Sequence, residues 1–85
     1  EVFFTVGHDE CRSWPINRGS DAVTAAAAIH RELGDKFVRA NVIGYADFAA
    51  HRFSEKECKA KGLERTEGKT YIVKDADVLH ILASS

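Results

Sequence analysis

Glu67-Gly68-Lys69-Thr70 ends like a phosphate-binding loop, so nucleotide chemistry is the first possibility to weigh. The full pattern G-x-x-x-x-G-K-[ST] needs a glycine at position 63, which is Leu63, and Gly62 comes one residue too early. A strand should lead into such a loop and a helix should follow, so that helix N–H groups meet the phosphate. Here a helical pattern precedes and the strand-like Tyr71-Ile72-Val73 follows, which excludes that reading. His8-Asp9-Glu10 has metal or acid–base residue types, but these residues also form turns for conformational reasons alone. Cys11 adjoins them without a Cys-x-x-Cys partner, and no second ligand set stands at metal spacing. His30 borders an apolar helical stripe with no nucleophile or orienting group nearby, so it reads as a packed or surface histidine. His51 and His80 carry no chemical context, and Asp75 and Asp77, in Lys74-Asp75-Ala76-Asp77, read as turn formers rather than a carboxylate pair.

What remains is basic and aromatic. Arg12, Arg18, Arg31, Lys36, Arg39 and Lys69 flank the predicted sheet and helix ends. Arg12 and Trp14 fall two apart in a strand-like run and share one face, a cation beside an aromatic, as RNA-binding sheets use. With 12 basic and 13 acidic residues the net charge is −1, so nothing global advertises a polyanion. Each basic residue read singly is a solvated side chain, with Trp14 in the core. A local basic patch stays open.

These residues must be positioned by elements that the pattern also outlines. Val2 to Val6 and Cys11 to Ile16 are β-rich and are separated by turn residues, hence a hairpin. Pro15 cannot donate to a ladder and belongs at an edge or strand end. Ser20 is the expected N-cap, with Asp21 in the first turn of a helix. Ala22, Ala26, Ile29 and Leu33 make that helix's apolar stripe. Gly34 is its expected left-handed stop. Phe37 to Ile43 is a strand, Tyr45 to Ala50 a short helical turn, and Glu55 to Lys61 a surface helix capped by Ser54 and ended by Gly62. Thr70 to Val73 and Val78 to Leu82 are the final strands. A hairpin, a helix across it and further strands are the β-grasp arrangement. Two strands before the first helix disfavour the ferredoxin-like βαββαβ alternative.

The bulk numbers fit. Eighty-five residues make one domain, 1–85, with a modest core. Hydrophobic content of 45% and charged content of 29% are ordinary for a soluble globular chain. No run is long and apolar enough to span a membrane, and Cys11 and Cys58 are no disulfide framework, pointing to reduced thiols and a cytoplasmic address. A start within a strand-like run and the lack of methionine suggest a domain excised from a longer protein.

Ala28-Ile29-His30-Arg31-Glu32-Leu33 followed by Phe37-Val38-Arg39-Ala40-Asn41-Val42 resembles the TGS domain, a ubiquitin-like module of threonyl-tRNA synthetase, GTPases and ppGpp synthetase/hydrolases. The chain is most similar to the C-terminal TGS domain of the Obg-like ATPases, the YchF subfamily of P-loop GTPases. Phe3-Phe4-Thr5-Val6-Gly7, Asp9-Glu10, Arg12 and Trp14 carry its opening pattern. Tyr45-x-Asp47-Phe48 and Arg65-x-Glu67-Gly68-Lys69-x-Tyr71-Ile72-Val73 carry its middle and end. The likeness departs at Asp75-Ala76-Asp77, where the family has Asp-Gly-Asp, at Arg31-Glu32 and at Pro15.

The resemblance implies an α+β β-grasp fold with a mixed sheet, one main helix across it and a short helical insertion before the last strands. It also implies a parent protein whose GTP or ATP, with magnesium, binds in a separate nucleotide-binding domain. No catalytic residue carries over. The expected role is a non-catalytic regulatory module contacting RNA or the ribosome through Arg12, Trp14, Arg31, Lys36, Arg39 and Lys69. The alternative is a docking module that positions the nucleotide-binding domain, with Trp14 or Phe48 as anchor.

Overall fold

The first hairpin builds one edge of the sheet. In the computed structural model, which describes residues 1–7 and 10–85, β1 (Val2–Val6) pairs antiparallel with β2 (Cys11–Pro15). Phe3 stands opposite Trp14, and Thr5 opposite Arg12. The Gly7 N–H donates to the Glu10 carbonyl at 2.7 Å. His8 and Asp9, and with them the reading of His8-Asp9-Glu10 as a turn, lie outside the described residues.

The helical stretch that follows departs from expectation in three ways. Asp21, not Ser20, is the N-cap: its Oδ1 accepts from the Thr24 N–H at 2.9 Å and the Thr24 hydroxyl at 2.7 Å. The Ser20 hydroxyl instead donates back to the Asn17 carbonyl at 2.7 Å. The helix is also two helices, α1 (Ala22–Ile29) and α2 (Arg31–Asp35), broken at His30, whose backbone is extended at φ −159° and ψ 133°. His30 caps both pieces. Its N–H donates to the Ala26 carbonyl, and its Nδ1 accepts from the Glu32 N–H at 3.1 Å. Finally, Gly34 is not a left-handed stop but lies inside α2, and a Cβ there would meet the Ala27 Cβ at 2.7 Å. The glycine is required by close approach rather than by φ.

After α2 come β3 (Phe37–Gly44), α3 (Tyr45–Ala50), α4 (Glu55–Ala60), β4 (Arg65–Glu67) and β5 (Asp77–Ala83). Ser54 caps α4 as expected, its Oγ accepting from the Glu57 N–H. Gly62, at φ 73°, ends α4 with paired bonds from Gly62 N–H to the Lys59 carbonyl and Leu63 N–H to the Cys58 carbonyl. The expected strand over Thr70–Val73 is absent as such: Ile72 makes one isolated bridge to Asp21, and the sheet strand is Arg65–Glu67, paired with β3. Val73 N–H donates to the Ser20 carbonyl, and Ala22 N–H to the Tyr71 carbonyl. That segment's backbone is therefore taken up by the entrance to α1 and not by the sheet edge.

The strands lie in the order β2-β1-β5-β3-β4, with β1 and β5 parallel and the other pairs antiparallel. Strand alternation splits the apolar residues between two faces. Phe3, Phe37, Ala40, Val42 and Leu79 pack with Ala22, Ala25 and Ala26 of α1, while Ile29 and Leu33 cover this cluster's margin, half-buried. Ile43 and Val78 pack on the other face with Phe48 of α3 and Cys58 of α4. Alanines bring α1 close to the sheet, and fully buried Phe3 and Phe48 contribute about 1.5–3 kcal/mol each by leaving water.

Candidate functional site

Arg12 and Trp14 keep the relation that their spacing implied. β2 is an edge strand, and both side chains rise on the face of Phe3 and Thr5. The Trp14 ring stacks on Phe3 at 6.5 Å between centroids, and its Nε1 donates to the Thr5 hydroxyl at 2.9 Å. The Arg12 guanidinium carbon sits 4.5 Å from the Trp14 centroid, a cation–π contact of about 0.5–1 kcal/mol at an exposed site. Trp14 is thus half committed to the core, and Arg12 remains exposed at the surface.

The other basic residues do not join them. Arg39 lies on β3, separated from β2 by two intervening strands, opposite Leu82 of β5. Arg31 opens α2 and is exposed. Lys36 closes α2 and pairs with Glu32 at 2.8 Å. Lys69 stands in the turn after β4, where Tyr71 N–H donates to the Gly68 carbonyl. No helix follows Gly68-Lys69-Thr70, as the rejection of a phosphate loop requires. The six residues are distributed around the molecule rather than gathered into one patch.

The structure assembles three groupings that spacing did not reveal. Arg65 Nη2 donates to the Tyr71 hydroxyl at 3.0 Å, and that hydroxyl donates to Asp77 Oδ2 at 2.6 Å. Asp77 is buried at 4% exposure and also accepts from the Lys74 N–H, so it is more than a turn former. Burial and the Asp77 carboxylate push the Tyr71 phenol up to about 12. A second grouping joins α4, the link after it and β5: His80 Nδ1 lies 2.8 Å from Glu55 Oε2, with Glu64 beside them. The third is a hollow of about 460 Å³ between α2 and the end of β5, lined by His30, Leu33, Lys36 and Ser84. The family motif around Arg65 and Tyr71 was the one available signal for the first grouping; the other two join residues too distant in sequence to pair by eye.

None of these is a nucleophile–base arrangement. Cys58 is buried, and burial followed by the nearby Asp47 charge pushes its thiol up, away from the reactive thiolate. Among the described residues, no group of three or more His, Cys, Asp or Glu side chains is placed to hold a metal ion. None of the described helices is long and apolar enough to cross a membrane.

The strand order, the parallel central pair and the helix laid across one face define a ubiquitin-like β-grasp domain, the class expected from the order of elements. The YchF-GTPase_C family, described as a protein of unknown function (DUF933), matches residues 1–84, and the chain belongs to that family. Over 81 residues it is 45% identical to the ribosome-binding ATPase YchF of Buchnera aphidicola, covering 95% of this chain and 22% of that protein. Over 79 residues it is 43% identical to the human Obg-like ATPase 1, covering 93% of this chain and 20% of that protein. The solved structure of the Schizosaccharomyces pombe YchF GTPase superposes with a TM-score of 0.87 at 36% identity, over 95% of this chain and 21% of that one. The chain spans about a fifth of the length of these relatives.

Proposed function

We propose that the chain is a non-catalytic regulatory module of a YchF-like GTP- or ATP-binding protein, contacting the ribosome through its RNA. The observation that carries this reading is the likeness, across nearly the whole chain, to proteins named ribosome-binding ATPases. Arg12, held over Trp14 at the sheet edge, is the contact that the geometry supports best, a surface guanidinium set against an aromatic ring. Arg31, Lys36, Arg39 and Lys69 would add scattered phosphate contacts. The nucleotide and magnesium belong in this reading to a separate domain of the parent, in the cytoplasm. Binding of the chain to ribosomes across a salt series tests it. Phosphate contacts make affinity fall steeply as salt rises, and Arg12→Ala should shallow that slope by about one charge's worth. No binding at low salt, or binding indifferent to salt, overturns it.

A second reading, docking onto another domain of the parent, draws on a different surface. Phe53 is 57% exposed and Tyr45 41%, and the two rings lie 6.3 Å apart beside Phe4 and Phe48. Arg52 and Phe53 follow α3 with φ of 62° and 57°, left-handed values that non-glycine residues adopt at a cost of roughly 1–2 kcal/mol each. Phe53→Ser weakening a pull-down of the parent's nucleotide-binding domain, with ribosome binding unchanged, would favour this reading over the first.

A further inference from the structure

Two carboxyls and an imidazole meet where α4 and the link after it lie against the second face of the sheet. His80 Nδ1 of β5 lies 2.8 Å from Glu55 Oε2, at the first turn of α4. Glu64, two residues past the Gly62 stop, lines the same small cavity as Glu55 and His80. One Glu64 oxygen, Oε2, is buried and has no donor among the protein groups around it. The adjoining cavity is about 10 Å³, bounded by Val6, Asn41, Ile43, Val78 and Leu79 as well as by these three side chains. Such a space holds one water at most, so the buried Glu64 oxygen is poorly hydrated there, while the Glu55 and His80 side chains keep 36% and 56% exposure on their outer sides.

Two ionised carboxylates have only acceptors to offer each other. A proton held between them supplies the missing donor and removes the like-charge repulsion. Burial, then the Glu55 carboxyl, push Glu64 up from the ordinary glutamate range, with Lys59 and His80 opposing. Burial also works to raise Glu55, but hydrogen bonds from Glu64 and His80, and the charges of His80 and Lys59, outweigh it and bring Glu55 down. Among the described residues, the charged or titratable groups facing the pair are therefore Lys59 from α4 and His80 from β5. β1 contributes Val6 and β3 contributes Asn41 and Ile43, without charge. Asp47 of α3 and Glu57 of α4 stand further along, around Cys58.

We propose that Glu55, Glu64 and His80 form a proton-operated latch that fastens α4 and the link to β4 onto the second face of the sheet. With one proton on the carboxyl pair, Glu64 donates to Glu55, Glu55 accepts from His80, and the strap is tied to β5. With the pair fully ionised, two carboxylates repel each other beside a buried Glu64 oxygen that has no donor, and α4 opens. What the latch governs is access to the apolar cluster of Ile43, Phe48, Cys58 and Val78. The sign follows from the direction of each shift. A carboxyl raised by folding stabilises the closed state below its unfolded pKa, and that contribution is lost as pH rises through its folded pKa. Glu55 works oppositely, its contribution being lost only as pH falls through its own lowered value.

The test is a carboxyl-carbon NMR titration of the 85-residue chain, paired with hydrogen-exchange protection of the Cys58 and Lys61 amides, which donate to Ser54 and Glu57. The expected result is two coupled steps, Glu55 below the ordinary range and Glu64 above it. Protection of the α4 amides should fall through the Glu64 step, by about tenfold for each unit of its upward displacement. Glu64→Gln keeps the shape and an N–H donor but cannot ionise, so its protection factors should be flat across that step. His80→Gln should draw the two steps together. Identical pH profiles for the unaltered chain and Glu64→Gln, or a Glu64 step in the ordinary range, overturn the latch. The carboxyl titration decides alone if Glu64→Gln fails to fold.

Discussion

Gly34 and Ala27 press together where α2 folds back on α1, so closely that a Cβ on Gly34 would stand 2.7 Å from the Ala27 Cβ and 3.1 Å from its Cα. The obstructing atoms are a short side chain and backbone, which cannot swing aside. The extended backbone of His30 makes this contact: it ends α1, starts α2 and turns the second helix back toward the first.

Gly34→Ala should therefore destabilise the chain. Two effects oppose each other at this site. Alanine in place of a helical glycine gains about 1 kcal/mol of propensity. Overpacking of a contact that cannot relax costs about 1–3 kcal/mol. Steric overlap should win, lowering the urea midpoint. A raised midpoint would show that α2 shifts away from α1 at little cost.

Asp21 and Ser20 offer a second contrast. Asp21→Ala should cost about 1 kcal/mol, because the Thr24 N–H loses its acceptor. Ser20→Ala removes only a bond to the Asn17 carbonyl and should cost less. The Thr24 backbone bond, then its hydroxyl, hold the Asp21 carboxyl below its ordinary value. Its contribution is consequently present above the unfolded aspartate pKa and lost as pH falls through the folded one. Asp21→Asn should retain the cap but flatten that acid limb of a stability–pH curve.

The same two residues show what was legible in the sequence. Strand alternation, the alanine-rich helix and the hairpin gave the β-grasp order, because local periodicity reports directly on burial. Helix entry was shifted by one residue, because Ser20 and Asp21 are both good caps and only tertiary bonds choose between them. The break at His30 left no periodic trace: Ile29 and Leu33 continue a helical stripe across it. Thr70–Val73 has strand composition but lies against the entrance to α1, and the three-residue β4 was too short to announce itself. At the candidate site, Arg12 and Trp14 were legible because they are two apart on one strand. Glu55, Glu64 and His80 were not, because that grouping exists only once α4 is laid against β5.

Tyr71→Phe should expose the cost of burying Asp77. The variant keeps the ring but removes the hydroxyl that donates to Asp77 at 2.6 Å, leaving the Lys74 N–H as the remaining donor to that oxygen among the described residues. An underbonded buried carboxylate costs about 1–3 kcal/mol, read as a lower melting temperature. In the unaltered chain the Tyr71 phenol should ionise at about 12, above the ordinary phenol range, in an ultraviolet titration. The stabilisation tied to that phenol is full below the ordinary tyrosine value and is lost as pH rises toward 12. Equal stability of Tyr71→Phe and the parent chain would mean that Asp77 is satisfied by other means.

Ala76 is the position where a single substitution should stabilise. It sits at φ 65° in the turn before β5. The turn is nevertheless formed: the Ala76 N–H donates to the Val2 carbonyl at 2.8 Å, and Asp77 N–H to the Lys74 carbonyl at 3.0 Å. Those bonds hold an alanine in a conformation that costs roughly 1–2 kcal/mol for an L-residue with a Cβ. Ala76→Gly relieves that strain but admits more freedom in the unfolded chain, which returns about 0.4–1 kcal/mol. The balance favours glycine by roughly 0.5–1 kcal/mol, a rise of several degrees in melting temperature for a domain of this size. Because the turn also carries Asp77 to Tyr71 and Val2 to Asp75, a tighter turn should slow hydrogen exchange of the Ala76 and Val2 amides together. A fall in melting temperature would place the strain elsewhere and make the alanine a compensated choice.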